Sequence, residues 1–190
     1  LMIYIVVLNW NGAIDTINCV KSLMDLNVSD YKIIIVDNCS MDNSYDTIKE
    51  NLNSLYIADK SIIEVKYEDR NKYKTLENDK IILIQSPQNN GYASGNNIGI
   101  EFALNQENMK YVWVLNNDTE VDKEALTHLI SKCDSDKSIG ICGSRLVYFA
   151  DREMQQGLGG VHNKWLCTTK NYEMGRLVSK KYDDEVISND

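Results

Sequence analysis

Residues 2–40, MIYIVVLNWNGAIDTINCVKSLMDLNVSDYKIIIVDNCS, hold two short apolar runs with a helix-like stretch between them. Residues 2–8 and, after Lys32 at its start, 32–36 are continuous in hydrophobicity rather than alternating. Such runs are strands covered on both faces, as in a parallel sheet with crossover helices. The intervening residues 13–25 space their apolar side chains for a helix. Downstream the rhythm repeats, with apolar runs at 81–84 and 111–115 and helical stretches at 44–52 and 93–104. The order β-α-β-α-β-α-β predicts an α/β fold, an open doubly wound and mostly parallel sheet flanked by helices. Residues 123–133 read as a further helix with Asp122 as its N-cap, and 139–147 as a further strand.

Two regions depart from this rhythm. Residues 54–79 are long, polar and mixed in charge, and read as a surface insertion without catalytic groups, with a short strand at 62–67. Past Asp151 the glycines Gly157, Gly159 and Gly160 point to turns or a hairpin. Residues 1–160 are therefore expected to form the core domain, and 161–190 the start of another region or a tail. Because the first residue is Leu1 rather than Met and residues 179–190 are polar, the ends read as trimmed or extended.

The 190 residues are enough for one domain, and 43% hydrophobic with 25% charged residues describes a globular protein. No apolar run approaches the roughly 20 residues of a membrane helix. The run at 1–8 is too short for a signal peptide and lacks a basic leader. A net charge of −8 argues against nucleic acid as a partner. Five cysteines with no CxxC pair argue against a disulfide framework or a zinc site, and for a reducing cytoplasm.

In an open α/β sheet the ligand crevice lies beyond the carboxyl ends of the strands. The residues there are Asn9-Trp10-Asn11-Gly12, Asp37-Asn38-Cys39-Ser40, Asn89-Asn90-Gly91-Tyr92 and Asn116-Asn117-Asp118-Thr119. Such residues also end strands and cap helices, but four polar clusters on one edge point to a ligand. Asp37 is a candidate acceptor for a pyrimidine N–H or a ribose hydroxyl, and the Asn9 amide suits a base edge. The run Asn89 to Asn97 opens a helix with small residues, and a helix N-terminus favours phosphate. It matches neither GxGxxG nor GxxxxGK[ST], which disfavours a dehydrogenase or an NTPase. Asp118 is the natural hard-oxygen ligand for Mg²⁺ or Mn²⁺ on a pyrophosphate.

These stretches resemble glycosyltransferase family 2, of the GT-A type, and in particular its rhamnosyltransferase-like branch. The resemblance rests on IYIVVLNWNG (3–12), IIIVDNCSMDNS (33–44), NNGYASGNNIGI (89–100) and VWVLNNDTEVD (112–122), with a weaker match at 139–160. It implies that Asn9 and Asn11 contact the nucleoside, and Asp37 the base, with Asn38, Ser40 and Asp42 completing that signature. It implies that Asn89, Gly91 and Asn97 border the donor, and that Asn116-Asn117-Asp118 stands at the DxD-type motif. There Asn116 replaces the first aspartate, leaving Asp118 the principal ligand of a divalent cation, Mg²⁺ or Mn²⁺. The implied activity is transfer of a sugar, with inversion, from a dTDP- or UDP-linked donor such as rhamnose to a glycan or lipid-linked hydroxyl. The implied setting is the cytoplasm at the inner membrane face, although no basic amphipathic helix supports peripheral membrane association.

The family's catalytic base lies in a downstream acidic motif, absent here: Asp183-Asp184-Glu185 reads as solvated tail. A nucleotide-binding module without catalysis is therefore the alternative. A receiver-like domain with Asp37 as phosphoacceptor is disfavoured, since Asn-Trp-Asn stands where that fold has an acidic pair. Trp113 is expected in the core, Trp10 and Tyr92 beside the ligand or in packing, and His128 on the surface. His162 is ambiguous, Arg145 and Arg152 read as surface residues, and Cys39 as a small filler.

Overall fold

The computed structural model describes residues 1–54, 61–157, 159–163, 168–172 and 174–178. Strands β1 (Met2–Asn9), β2 (Tyr31–Asp37), β3 (Ser61–Glu64), β4 (Asp79–Gln85) and β5 (Met109–Asn116) form one parallel sheet in the order β3-β4-β2-β1-β5. Helices α1 (Ala13–Met24), α2 (Ser44–Ser54) and α3 (Tyr92–Leu104) supply its crossovers. Every residue of β2 is buried, as are all but one each of β1 and β4, as unbroken apolar runs require. The chain divides into two compact units, Leu1–Glu124 and Ala125–Asp190. All five parallel strands belong to the first.

Side chains alternate between the two faces of that sheet. Tyr4, Val6 and Leu8 join Ile34, Val36, Ile82 and Ile84 against Ile98, Phe102 and Ala103 of α3. The opposite parity, Ile5, Val7, Ile33, Ile35, Ile81 and Leu83, is wholly buried on the other face. The fit of α3 depends on two glycines. A Cβ on Gly99 would stand 2.5 Å from Val6 Cγ1 and 3.3 Å from Val36 Cγ2, both stiff β-branched side chains in the sheet. Gly99→Ala is therefore expected to destabilise by about 2–3 kcal/mol through overpacking, read as a lower midpoint in urea unfolding.

Chain order runs from β1 outward to β2 and to β3 at the edge, fills in β4 between those two, then crosses to the far side of β1 to lay down β5. The reversal sits between β1 and β5. A topological switch point opens a crevice beyond the carboxyl ends of the flanking strands. Asn9 and Asn116 are the last residues of those two strands.

Four expectations need correction. The run at 139–147 pairs only at β6 (Leu146–Val147), antiparallel to β7 (Gln155–Gly157), because Gly140 and Gly143 offer no side chain to pack and Ile141 is exposed. Helix α4 (Ala125–Ser135) begins two residues later than expected, since Asp122 Oδ1 accepts from Glu124 N and closes a turn ahead of it. Trp113 is half-buried rather than core, because β5 is an edge strand. The stretch 54–79 is more than a surface insertion: its short strand, expected at 62–67, is present as β3 and extends the sheet, and the buried Lys32 ammonium donates to the carbonyls of Leu76, Glu77 and Asp79. The expected hairpin is present in the second unit, as β8 (Gly159–Asn163) paired with β9 (Thr168–Tyr172). No described helix is long and apolar enough to cross a membrane. Cys167 and residues 183–185 lie outside the described residues, as does the side chain of His162.

Burial also sets an alkaline limit. It pushes Cys19 up from 9.0 to about 12, with the Asp118 charge adding to it. Burial likewise lifts Tyr31 and Tyr73 from 10.0 to about 12. The folded chain keeps these protons where the unfolded chain releases them, so this stability is fully present below pH 9 and falls through pH 12. Thermal melts are expected to be level from pH 7 to about 8.5 and to drop steeply from about 10.

Candidate functional site

Strand register builds the centre of the site. Asn9 and Asp37 are Cα partners at the ends of β1 and β2, so their side chains leave the same face side by side. Asn9 Nδ2 donates to Asp37 Oδ1 at 2.7 Å, and Thr16 Oγ1 of α1 donates to Asn9 Oδ1 at 2.8 Å. Gln85, the partner of Asp37 at the end of β4, donates to Oδ2 at 3.2 Å. Ser40 closes the ring, its amide donating to Oδ2 at 3.1 Å and its hydroxyl to Oδ1 at 2.6 Å. Both Asn9 and Asp37 are fully buried. A carboxylate has about four lone-pair positions, and all four here are taken by the protein.

Two strained turns make that ring possible. Asn11 and Cys39 are the only described non-glycine residues with positive φ, at 50° and 56°. Each follows a strand of the site, where left-handed backbone swings the chain back over the strand end. Asn11 N then donates to Ser40 Oγ at 2.9 Å, and Met41 N to Asn11 Oδ1 at 2.9 Å. The loops after β1 and β2 are thereby sewn together. What they present outward is the half-exposed Trp10 ring, with Asn11 and Met41. Beside them lies an open hollow of about 440 Å³ between the starts of α1 and α2, lined by Asn11, Gly12, Asp15, Asp42, Ser44 and Thr47 among others.

The loop 89–92 is anchored on both sides of β1. Asn38 Nδ2 donates to Asn89 Oδ1 at 2.9 Å and to the Gly91 carbonyl at 3.3 Å, while Gly91 N returns to Asn89 Oδ1. Gly91, at φ 87°, makes the turn into α3 in a conformation that favours glycine. Inside α3, a Cβ on Gly95 would stand 2.5 Å from Leu8 Cδ1 and 3.2 Å from Asn38 Cγ.

The three residues Asn116-Asn117-Asp118 divide their contacts by parity. Asn116, the register partner of Leu8, meets α3: Tyr92 Oη donates to its Oδ1 at 2.7 Å. Asn117 meets α1, donating to Thr16 Oγ1 at 3.1 Å and to the Gly12 carbonyl at 3.4 Å. Asp118 enters none of these bonds and is exposed. Among the described residues no group of three His, Cys, Asp or Glu side chains is placed to hold a metal. A lone carboxylate still fits Mg²⁺ or Mn²⁺, which takes one or two protein carboxylates and fills its shell with phosphate oxygens and water.

The structure thus brings Asn9, Asn11, Asp37 and Ser40 into one network, Asn38, Asn89 and Gly91 into a second, and Asn116 and Asn117 onto the two helices. Asn97 stays exposed on α3 outside both networks. Thr16, Gln85 and Asn96 were not among the candidates. Thr16 was detectable as a polar residue inside the buried stripe of α1, and Gln85 as the polar residue that directly follows the apolar run at 81–84. Asn96 is buried, with its amide on the Tyr92 carbonyl and its Oδ1 unpaired.

The sequence model described as glycosyl transferase family 2 matches residues 4–157. The low-salt glycan biosynthesis hexosyltransferase Agl10 of Haloferax volcanii is 33% identical over 106 residues, 54% of this chain and 32% of that protein. The chain thus spans about a third of the curated relative it matches. Among solved structures, S. aureus TarS in complex with UDP-GlcNAc superposes with a TM-score of 0.50 at 14% identity, over 71% of this chain and 32% of that one. The mannosyltransferase PcManGT from Pyrobaculum calidifontis, in complex with GDP-Man and Mn²⁺, gives 0.53 at 11% identity, over 73% and 33%. At such identities these likenesses establish the fold, which is of the GT-A type.

Proposed function

This chain belongs to glycosyl transferase family 2, and on that premise we propose that its polar edge holds a nucleotide diphosphate sugar for transfer to a hydroxyl acceptor. The observation that carries the reading is the division of labour at the end of β5. The Asn116 Oδ1 and the Asn117 amide are taken up by the helices, while Asp118 is left exposed at the switch point.

The charges order the ligand along the edge. Asp15 and Asp42 line the hollow beside Asn11, so that end suits a neutral base and ribose hydroxyls and repels phosphate. The uncapped start of α3 and Asp118 lie toward β5, where backbone N–H groups and a cation-binding carboxylate suit a diphosphate. Asn9 and Asp37 hold the loops that meet the nucleoside, and Asn38 and Asn89 hold the loop that meets the phosphates. Asp118 would hold a divalent cation, which would supply charge neutralisation for a departing diphosphate. The acceptor hydroxyl must also lose a proton to a carboxylate. We assign that base to a part of the protein outside the described residues, since Asp37 is buried within the loop network and Asp15 and Asp42 line the nucleoside hollow. The branch resemblance makes dTDP-rhamnose the first donor to try, alongside UDP-sugars. A glycan or lipid-linked hydroxyl is the proposed acceptor.

The test is calorimetric titration with UDP, dTDP and GDP, each in Mn²⁺, in Mg²⁺ and in EDTA. Metal-dependent binding of a pyrimidine diphosphate supports the reading, and no binding by any nucleotide overturns it. A nucleotide-holding module without catalysis is the second reading, favoured by the lack, in residues 1–190, of the downstream acidic motif that the family resemblance implies. A transfer assay on the full-length protein separates the two.

A further inference from the structure

Loop 89–92 is tied to Asn38, which follows β2, and to Asn116, which ends β5. Strand β1 lies between β2 and β5. The loop therefore passes over the carboxyl end of β1 as a strap across the switch point. Its far tie is a single hydrogen bond, from the Tyr92 hydroxyl to Asn116 Oδ1 at 2.7 Å. Tyr92 is 59% exposed, so this bond is not a by-product of core packing. Gly91 before it and Asn96 after it, whose amide donates to the Tyr92 carbonyl, fix the backbone from which the phenol reaches out.

An asparagine amide has one acceptor end and one donor end. With the oxygen held by Tyr92, the NH₂ of Asn116 is the end left for a ligand. We propose that Tyr92 is a positioning residue of the donor site: its hydroxyl sets Asn116 as a hydrogen-bond donor toward ribose or diphosphate oxygens, and so leaves the cation to Asp118. This role rests on the nucleotide reading above. It also explains how an asparagine works where the family's motif has an aspartate. The carboxylate there is an acceptor for a hydroxyl or a cation, whereas the pinned amide donates directly to the anionic ligand.

The experiment is a double-mutant cycle read by UDP titration in Mn²⁺, on Tyr92→Phe, Asn116→Ala and both together. Tyr92→Phe keeps the ring and is expected to leave the melting temperature unchanged while weakening UDP about five-fold, the scale of one hydrogen bond. In the Asn116→Ala background the same change is expected to have no further effect, because the phenol acts only through that amide. Independently of any ligand, the Asn116 side-chain ¹⁵N–H₂ resonances are expected to shift in Tyr92→Phe. Unchanged UDP affinity in Tyr92→Phe overturns the proposal, and so do fully additive losses, which would place the hydroxyl on the ligand itself. If wild-type protein binds no nucleotide while the amide resonances still respond, it is the nucleotide reading that falls, and the ligand role of Tyr92 with it.

Discussion

Asp118→Ala is expected to weaken Mn²⁺-dependent binding of UDP or dTDP by about 100-fold while leaving binding in EDTA unchanged. Loss of residues that only orient metal ligands costs about 10–100-fold in affinity, so removing the carboxylate itself lies at the upper end or beyond. The two preceding asparagines cannot substitute. Asn116 Oδ1 is held by Tyr92, Asn117 is turned to α1, and no cluster of three potential metal-ligating side chains occurs among the described residues. The side chain is exposed and forms none of the bonds that tie β5 to α1 and α3, so thermal stability is expected to hold within about 0.5 kcal/mol. That contrast gives the experiment its force. Equal affinities of wild type and Asp118→Ala in Mn²⁺ would remove Asp118 from the site, and a collapse of the melting temperature would assign it to the scaffold. Asp118→Asn, which keeps the shape but not the charge, is expected to behave like the alanine variant.

How much of this was legible before the fold was known follows from the range of the interactions concerned. Strands β1, β2 and β4 were readable because burial on both faces leaves an unbroken apolar run, and their polar ends followed at once. Strand β3 was readable only in outline, as a short strand at 62–67, because it lies at the edge within a charged stretch, and pairing with β4 sets its actual bounds. The strand expected at 139–147 failed for the converse reason, apolar residues interrupted by glycines with no partner over most of their length. In the site, the identities of Asn9, Asp37 and Asp118 could be picked from their places after strands. Their division into inward and outward groups could not. It depends on register and parity, which pair Asn9 with Asp37 and Asp37 with Gln85, and which send Asn116 and Asn117 to opposite faces of one sheet.

Asp37 is where sequence and geometry pull hardest against each other, and it carries the second large effect. The resemblance implies contact with the base, yet the carboxylate is fully buried and already accepts from Asn9, Gln85 and the amide and hydroxyl of Ser40. Hydrogen bonds to a charged group contribute about 1.5–3 kcal/mol each, and a buried donor left without its partner costs about 1–3 kcal/mol. Gln85 is exposed and can turn to water, and Asn9 retains the Ser40 oxygen at 3.2 Å, so the uncompensated loss falls mainly on Ser40. Asp37→Ala is accordingly expected to destabilise the protein by about 3–5 kcal/mol, a large part of the 5–15 kcal/mol typical of a domain. Urea unfolding monitored by tryptophan fluorescence reads this directly. Asp37→Asn keeps the volume but turns an NH₂ toward groups that are themselves donors, so it is expected to lose stability too, about half as much. If Asp37→Asn instead unfolds like wild type and fails only to bind nucleotide, the carboxylate is a ligand contact and one of its four protein donors gives way when the base arrives. If both variants lose stability in this order, Asp37 reaches the nucleoside only through the loops it holds, and base selection lies with the residues those loops present, Trp10 and Asn11 first among them.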